Sequence, residues 1–237
     1  MKHVESLAGS FSRSALRQPI FAILLFVPPL IGLGIRPLPG LLEHYLPKFD
    51  FSEWIPLFLA VTAGFPAYLY GFLASLILLD ERDQDLLPAI RVTPLTDRGL
   101  IAAKLLPAMI LALTGTPITL ALSGQIFQIS LSTAIAAAII AVPSTAFYAL
   151  IGTALARNKV QGISIGKVMG MMLLAPVLPV ILPAPWSFLA LLFPPAWIGR
   201  VLREPAHQGL WAVGGLLYTS VLAMLTWRWA MKRYFTE

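Results

Sequence analysis

The chain has 237 residues, of which 58% are hydrophobic and only 12% are charged, and its mean hydropathy is +0.81. Charged residues make up roughly a quarter of an ordinary soluble domain, so this composition excludes that class and predicts an integral membrane protein. The chain contains no cysteine, which excludes disulfides, thiolate metal sites and cysteine nucleophiles.

The N-terminal segment, residues 1–19, has an amphipathic pattern. Apolar residues recur at positions 4, 7, 8, 11 and 15, and polar or charged residues occupy the other side. The spacing predicts a helix that lies in the plane of the membrane interface. We favour an anchoring helix that sets the depth of the first span over a specific docking element.

Uncharged stretches predict six membrane-spanning helices, since each span needs about 20 residues. Residues 105–156 carry no charge, and their 52 residues would form about 78 Å of helix, so this stretch must turn once. Residues 186–193 lie among prolines and are too short to cross, which predicts a re-entrant hairpin at the outer face. We expect one transmembrane domain over residues 1–237, with spans at residues 20–35, 54–79, 105–122, 134–156, 166–182 and 210–227.

The distribution of lysine and arginine predicts the orientation of these spans. With the N-terminus inside, thirteen basic residues lie in cytoplasmic segments and only four, Arg36, Lys48, Arg200 and Arg203, lie in outer ones. Cytoplasmic loops of membrane proteins carry such an excess, so both termini are expected in the cytoplasm. The net charge of +6 then follows from topology, and nucleic acid is not expected as a partner.

The loop after the second span has more pattern than a simple turn requires. The chain reads LLDERDQD at residues 78–85, Leu-Leu at 86–87, RVTPLT at 91–96 and AAKL at 102–105. In these motifs it resembles the ABC transporter type 2 permease family, and within it the bacterial drug-export permeases of the fluoroquinolone-export type. The six-span layout, the interfacial helix and the outer hairpin match as well, so the resemblance covers nearly the whole chain.

The resemblance implies a permease subunit that works with a separate ATP-binding cassette ATPase. The chain itself has no G-x-x-x-x-G-K-[ST] phosphate loop, so ATP and Mg²⁺ are expected on the ATPase and no cofactor on this chain. In the family, the loop after the second span is a coupling helix that docks on the ATPase. Carried over to this chain, the coupling residues are Glu81, Arg82, Asp83, Asp85, Leu86, Leu87, Ile90, Arg91, Thr93 and Pro94. The alternative is a solvated loop that only enforces topology.

The resemblance also implies a dimer of permease subunits, identical or different, whose second and fifth spans face the central axis. The interiors of the second, third, fourth and sixth spans carry no Asp, Glu, Lys, Arg or His, so ion-coupled transport is unfavoured. An amphipathic or hydrophobic substrate, drug-like or lipid-like, is expected instead. Each candidate pathway residue has simple packing as its alternative. The candidates are Phe58, Thr62, Phe65, Tyr68, Met169, Met172 and Leu173.

Three glycines, Gly162, Gly166 and Gly170, recur every four residues at the start of the fifth span. Small residues at this spacing form a flat stripe that lets another backbone approach closely. The stripe predicts either an interface with the partner subunit or close packing within one chain, and the sequence does not decide between them.

Three other functions are open at this stage. Asp80, Asp83 and Asp85 could hold Mg²⁺ in a membrane transferase, although Arg82 interrupts this single cluster. A haem-exporter-like permease of cytochrome c maturation has a similar size and layout. A non-catalytic membrane anchor is the third. We predict the exporter permease, not an enzyme, in the bacterial cytoplasmic (inner) membrane, in contact with lipid.

Overall fold

The computed structural model describes residues 19–46, 54–84, 97–124 and 129–236, which form helices and short connections without any strand. Six helical segments in these ranges are long and apolar enough to cross a membrane. The prediction of an all-α protein with six spans is therefore confirmed. The predicted interfacial helix, residues 1–19, lies outside the described residues except for its last residue, and so does most of the predicted coupling segment, residues 81–94.

The first span consists of α1 (Pro19–Ile35) and the short α2 (Leu38–Tyr45), and the fifth consists of α6 (Lys159–Met171), a 3₁₀ turn and α7 (Leu178–Ile181). Each of the other four spans has one long α-helix. Further 3₁₀ turns at Trp186–Leu192 and Pro205–His207 flank α8. The α-helices are α1 (Pro19–Ile35), α2 (Leu38–Tyr45), α3 (Ile55–Asp83), α4 (Asp97–Leu122), α5 (Leu131–Leu155), α6 (Lys159–Met171), α7 (Leu178–Ile181), α8 (Pro194–Arg203) and α9 (Gln208–Thr236).

Several helix ends lie further out than the sequence predicts. The helix α3 continues to Asp83 instead of ending at residue 79, α4 begins at Asp97 instead of 105, and α6 begins at Lys159 instead of 166. The prediction placed span ends where charges begin, but charged residues do not stop a helix when they find partners. At α6 the start is fixed by the side chain of Asn158, which accepts a hydrogen bond of 2.8 Å from the Gln161 amide.

The centre of the bundle is formed by α3 and α5, which are mostly buried, whereas α1, α6 and α9 lie at the periphery. Alanine and glycine bring the two central helices together. At Gly71 a Cβ atom would lie 2.8 Å from the Tyr148 Cβ, so only glycine permits this approach. The large apolar residues left exposed on the peripheral helices are then available to lipid or to another subunit.

Three of the buried hydroxyl groups of α5 are satisfied within the helix. Ser144, Thr145 and Thr153 donate to the carbonyl oxygens four residues earlier, at 2.7 to 2.8 Å. A membrane interior offers no water, so such local bonds let polar side chains face a neighbouring helix without an unsatisfied group.

The segment between the fifth and sixth spans lies at the end of the bundle that carries the α4–α5 connection. Its helix α8 packs on the first half of α3, where a Cβ on Gly199 would lie 3.5 Å from Ala60. Trp197 donates to the Leu191 carbonyl at 2.9 Å, and Tyr218 of α9 donates to the Leu192 carbonyl at 2.8 Å. The segment predicted to be an outer hairpin forms a 3₁₀ turn and an amphipathic helix, which are hydrogen-bonded to each other and to α9.

Candidate functional site

The acidic run predicted to be part of a loop forms the last turn of α3, at the end of the bundle opposite α8. Within it, Glu81 Oε1 lies 2.7 Å from Lys104 Nζ of α4, and the lysine side chain is only 5% exposed. The two residues stand on either side of residues 85–96. Their ion pair therefore holds together the two helices from which the candidate coupling segment emerges.

Two further carboxylates of the same turn contact the start of α6. Asp80 Oδ1 lies 2.9 Å from Lys159 Nζ, and Asp83 Oδ2 accepts a hydrogen bond of 2.8 Å from the Lys159 backbone amide. The first amide groups of a helix have no partner within the helix, and the positive end of its dipole favours an anion there. The acidic run thus fixes the start of the fifth span to the end of the second.

Two arginines donate hydrogen bonds to the carbonyl groups at the neighbouring end of α5. Arg82 Nη2 donates to the Ala156 carbonyl at 2.8 Å, and Arg233 Nη1 of α9 donates to the Ala154 carbonyl at 3.2 Å. The last carbonyl groups of a helix lack intrahelical donors, and basic side chains stabilise them. The six residues Asp80, Glu81, Arg82, Asp83, Lys104 and Lys159, here named the charged cluster, thus join α3 to α4, α5 and α6.

The structure changes the interpretation of the first three coupling residues. Glu81, Arg82 and Asp83 have partners within the chain, so their side chains are committed to holding helices together. The Glu81 Oε2 atom is buried without a hydrogen-bond partner among the described residues. The remaining predicted coupling residues lie outside the described ranges: Asp85, Leu86, Leu87, Ile90, Arg91, Thr93 and Pro94.

The glycine stripe of α6 faces α3 of the same chain. A Cβ on Gly162 would lie 2.6 Å from Leu79 Cδ1, one on Gly166 would overlap the Phe72 ring, and one on Gly170 would lie 3.1 Å from the Tyr68 hydroxyl. Of the two readings that the sequence left open, this geometry favours close packing within one chain.

An aromatic cluster extends the contact between α3 and α6 towards α5. The Tyr68 ring stacks on Phe72 with centroids 6.0 Å apart and meets Tyr148 of α5 edge-on at 5.6 Å. The Tyr68 hydroxyl donates to the Gly166 carbonyl at 2.9 Å, and the Tyr148 hydroxyl is buried without a partner in the described part of the chain. This cluster links the second, fourth and fifth spans.

A sequence model of one family, described as "Fluoroquinolones export permease protein Rv2686c-like", matches residues 11–230. The chain belongs to this permease family. Two relatives from Mycobacterium tuberculosis are each 26% identical, over 96% of this chain and 97% of theirs: "Fluoroquinolones export permease protein MT2760" of strain CDC 1551 / Oshkosh and "Fluoroquinolones export permease protein Rv2686c" of strain ATCC 25618 / H37Rv. No solved structure matches the chain.

Family membership confirms the resemblance to drug-export permeases and favours a transport subunit over an enzyme. The geometry of the permease points the same way. The carboxylates that a Mg²⁺-dependent transferase would need, those of Asp80 and Asp83, both contact Lys159, and Asp85 lies outside the described residues. Within the described ranges, no group of three or more acidic, histidine or cysteine side chains could hold a metal ion.

The candidate pathway residues of the permease do not line one open channel within a single chain. Thr62 is fully buried and donates to the Phe58 carbonyl at 2.6 Å, and Met169 and Leu173 are buried against α3. Tyr68, Phe65 and Met172 are half-buried, and only Phe58 is exposed. Tyr68, Met169 and Leu173 fill contacts between the second and fifth spans, which fits the packing alternative, whereas Phe58 lies beside the first span.

The face of the fifth span that points away from α3 carries different residues. Ile163, Val168, Met171 and Leu174 are exposed there, together with Lys167. Sequence analysis missed this face because it selected aromatic and methionine side chains by type. The glycine stripe would have identified the opposite, buried face, since glycines mark the side on which helices approach closely.

Sequence analysis also left Lys104 and Lys159 out of the candidate site. A signal for Lys104 was present, because this lysine stands directly before 52 uncharged residues and is costly to bury without a partner. The identity of that partner, Glu81, depends on how α3 and α4 pack.

Proposed function

We propose that this chain is the permease subunit of an ABC-type exporter, driven by a separate ATPase subunit and working with a second membrane subunit. The observation that carries the proposal is the match of the drug-export permease family to residues 11–230. The substrate is an amphipathic or hydrophobic molecule, and fluoroquinolones, which the relatives' names specify, are the first compounds to test.

Coupling to the ATPase is assigned to the segment from Glu81 to Pro94. The charged cluster supports this assignment, because Glu81 and Lys104 hold the two helices on either side of the segment together at 2.7 Å. The same turn of α3 binds the start of α6 through Asp80 and Asp83. A movement imposed on the segment would therefore reach the second, third and fifth spans through contiguous contacts.

The pathway is proposed to form between two membrane subunits. The candidate pathway residues of one chain are largely buried, so no route through a single bundle is evident among them. The exposed apolar face of the fifth span, with Ile163, Val168, Met171 and Leu174, is available to the second subunit or to lipid. Phe58 is the candidate pathway residue that a substrate would reach most readily.

The proposed orientation places both termini and the charged cluster on the cytoplasmic side of the bacterial inner membrane. It rests on the excess of thirteen basic residues over four in alternate segments. The α8 end of the bundle is then the outer end.

Assembly with the ATPase tests the proposal directly. Replacing Leu86 and Leu87 together by Asp would place two unpaired charges in a buried docking surface, which costs several kcal/mol. The matched control replaces Leu41 and Leu46, two exposed leucines at the opposite end of the bundle, by Asp. We expect the Leu86/Leu87 variant to insert normally but to lose the ATPase during purification and to show no substrate-stimulated ATP hydrolysis.

The mass of the solubilised complex gives a second measure, for which we expect two membrane chains and two ATPase chains. An active permease without an ATPase would refute the proposal. So would normal assembly and turnover in the Leu86/Leu87 variant alongside the control.

A further inference from the structure

A cavity of about 630 Å³ opens at the α8 end of the bundle, far from the charged cluster. One wall is apolar and consists of residues 179–184, which follow the 3₁₀ turn of the fifth span. The other wall is polar and consists of Arg200, Arg203 and Glu204 at the end of α8, with Ser187 nearby. An apolar wall facing a charged wall is the lining that an amphiphile requires.

The charge of Arg200 is already compensated. Its Nη1 contacts Glu204 Oε1, and its guanidinium lies 5.1 Å from the centre of the Trp211 ring. Trp211 Nε1 donates to Glu204 Oε2 at 2.6 Å. Each oxygen of the carboxylate thus already accepts a hydrogen bond, and the negative charge of Glu204 is paired with Arg200.

The ionised state of Glu204 supports this assignment of charge. Partial burial raises the pKa of this carboxyl, but hydrogen bonds from Arg200 and Trp211 and the charges of Arg200 and His207 lower it, and the net shift is downwards. Glu204 therefore stays ionised at neutral pH and remains paired with Arg200.

Arg203 is the surplus cation of the cavity. Its side chain is exposed at the cavity wall and forms no hydrogen bond or ion pair with any of the described residues. Two arginines and one glutamate leave the polar wall with one positive charge. A guanidinium that projects into a cavity with its donors unused is suited to a carboxylate or phosphate, which it can bind in a bidentate manner.

From this geometry we infer that the cavity binds the anionic group of an amphiphile, with Arg203 contacting the carboxylate or phosphate and residues 179–184 contacting the apolar body. Two sources could supply such a molecule. One is an anionic phospholipid whose headgroup lies at the membrane boundary, and the other is an exported drug with a carboxylate. The inference concerns one cavity of this chain and does not depend on the ATPase or on the direction of transport.

Binding to the purified full chain in phosphatidylcholine nanodiscs tests the site. Calorimetric titrations use dihexanoyl phosphatidylglycerol in one arm and flumequine, a fluoroquinolone with one carboxylate and no basic amine, in the other. Dihexanoyl phosphatidylcholine, which has no net charge, is the control ligand. The variants are Arg203→Gln and Arg203→Lys. The matched control is Arg36→Gln, an equal charge change at an exposed arginine of the same bundle end that does not line the cavity.

We expect Arg203→Gln to weaken binding of the anionic ligand about tenfold, which is the size expected for one charge-assisted hydrogen-bonded contact. The Arg36→Gln variant should bind the anionic ligand with the affinity of the native chain, and the Arg203→Lys variant should retain part of that affinity. An effect in the phosphatidylglycerol arm alone assigns the site to lipid, and an effect in the flumequine arm alone assigns it to the exported amphiphile.

Two results would overturn the inference. One is equal affinity of the Arg203→Gln and Arg36→Gln variants for both anionic ligands, and the other is binding of phosphatidylcholine as tight as that of the anionic ligands. Failure of the site would leave the proposed exporter function intact, because ATPase assembly is measured at the opposite end of the molecule.

Discussion

Lys104 Nζ and Glu81 Oε1 lie 2.7 Å apart between the third and second spans, and both side chains are largely shielded from solvent. This pair encloses the chain segment assigned to ATPase coupling. A buried ion pair contributes little net stability compared with apolar residues, but removal of one partner leaves a buried charge without compensation. The pair therefore makes the bundle end sensitive to single substitutions.

We predict that Lys104→Met and Glu81→Gln each destabilise the permease by about 3 kcal/mol, the cost of leaving one buried charge unpaired. The double variant should be more stable than either single variant, because neither charge remains. The apparent melting temperature in detergent measures this. Glu43→Gln, at an exposed glutamate, is the control. Additive losses in the double variant would contradict the pairing.

The contact between the second and fifth spans gives a steric prediction. In Gly166→Ala the new methyl group would overlap the Phe72 ring, so α6 must move away from α3 at a cost of about 1 to 3 kcal/mol. Gly34→Ala is the matched control, since that glycine is also helical and has nothing within 4 Å of its Cβ position. Thermal unfolding should show a loss for Gly166→Ala only, and adding Phe72→Leu should recover part of it. An unchanged melting temperature would argue against this packing.

Topology can be measured cleanly because the native chain has no cysteine. Tyr45 and Val160 are 74% and 73% exposed at opposite ends of the bundle. In intact cells, a membrane-impermeant maleimide should label Tyr45→Cys, and it should label Val160→Cys only after the membrane is opened. The reverse pattern would place both termini outside.

The ion pair at the end of α8 gives a prediction about pH. The pKa of Glu204 is lowered in the folded state, so its stabilisation is present above the ordinary carboxyl value of 4.5 and is lost as the pH falls through the lowered pKa. The Glu204→Gln variant should therefore have a lower melting temperature than the native chain at neutral pH. The difference between the two melting temperatures should disappear in strong acid. A difference in melting temperature that persists at acid pH would contradict a stabilising role of the carboxylate charge.

Much of the fold follows from the sequence alone. Charged residues are too costly to place in hydrocarbon, so the uncharged stretches between them determine the number and approximate positions of the spans. The same reasoning divided residues 105–156 into two helices. In the structure these are the larger part of α4 and the whole of α5. The helix ends were less predictable, because residues such as Asp83 and Lys159 belong to a helix only if partners satisfy them.

The partners themselves were decided by the tertiary structure. The acidic run, the lysine before the third span and the glycines of the fifth are visible in the sequence, but which side chain each one meets depends on how α3, α4 and α6 pack. Composition and periodicity specify which residues must leave the lipid and where each helix crosses it. Contacts between helices come from the shape of the packed faces. For this reason the buried pathway candidates, and Arg203 with no partner among the described residues, could not be recognised before the bundle was assembled.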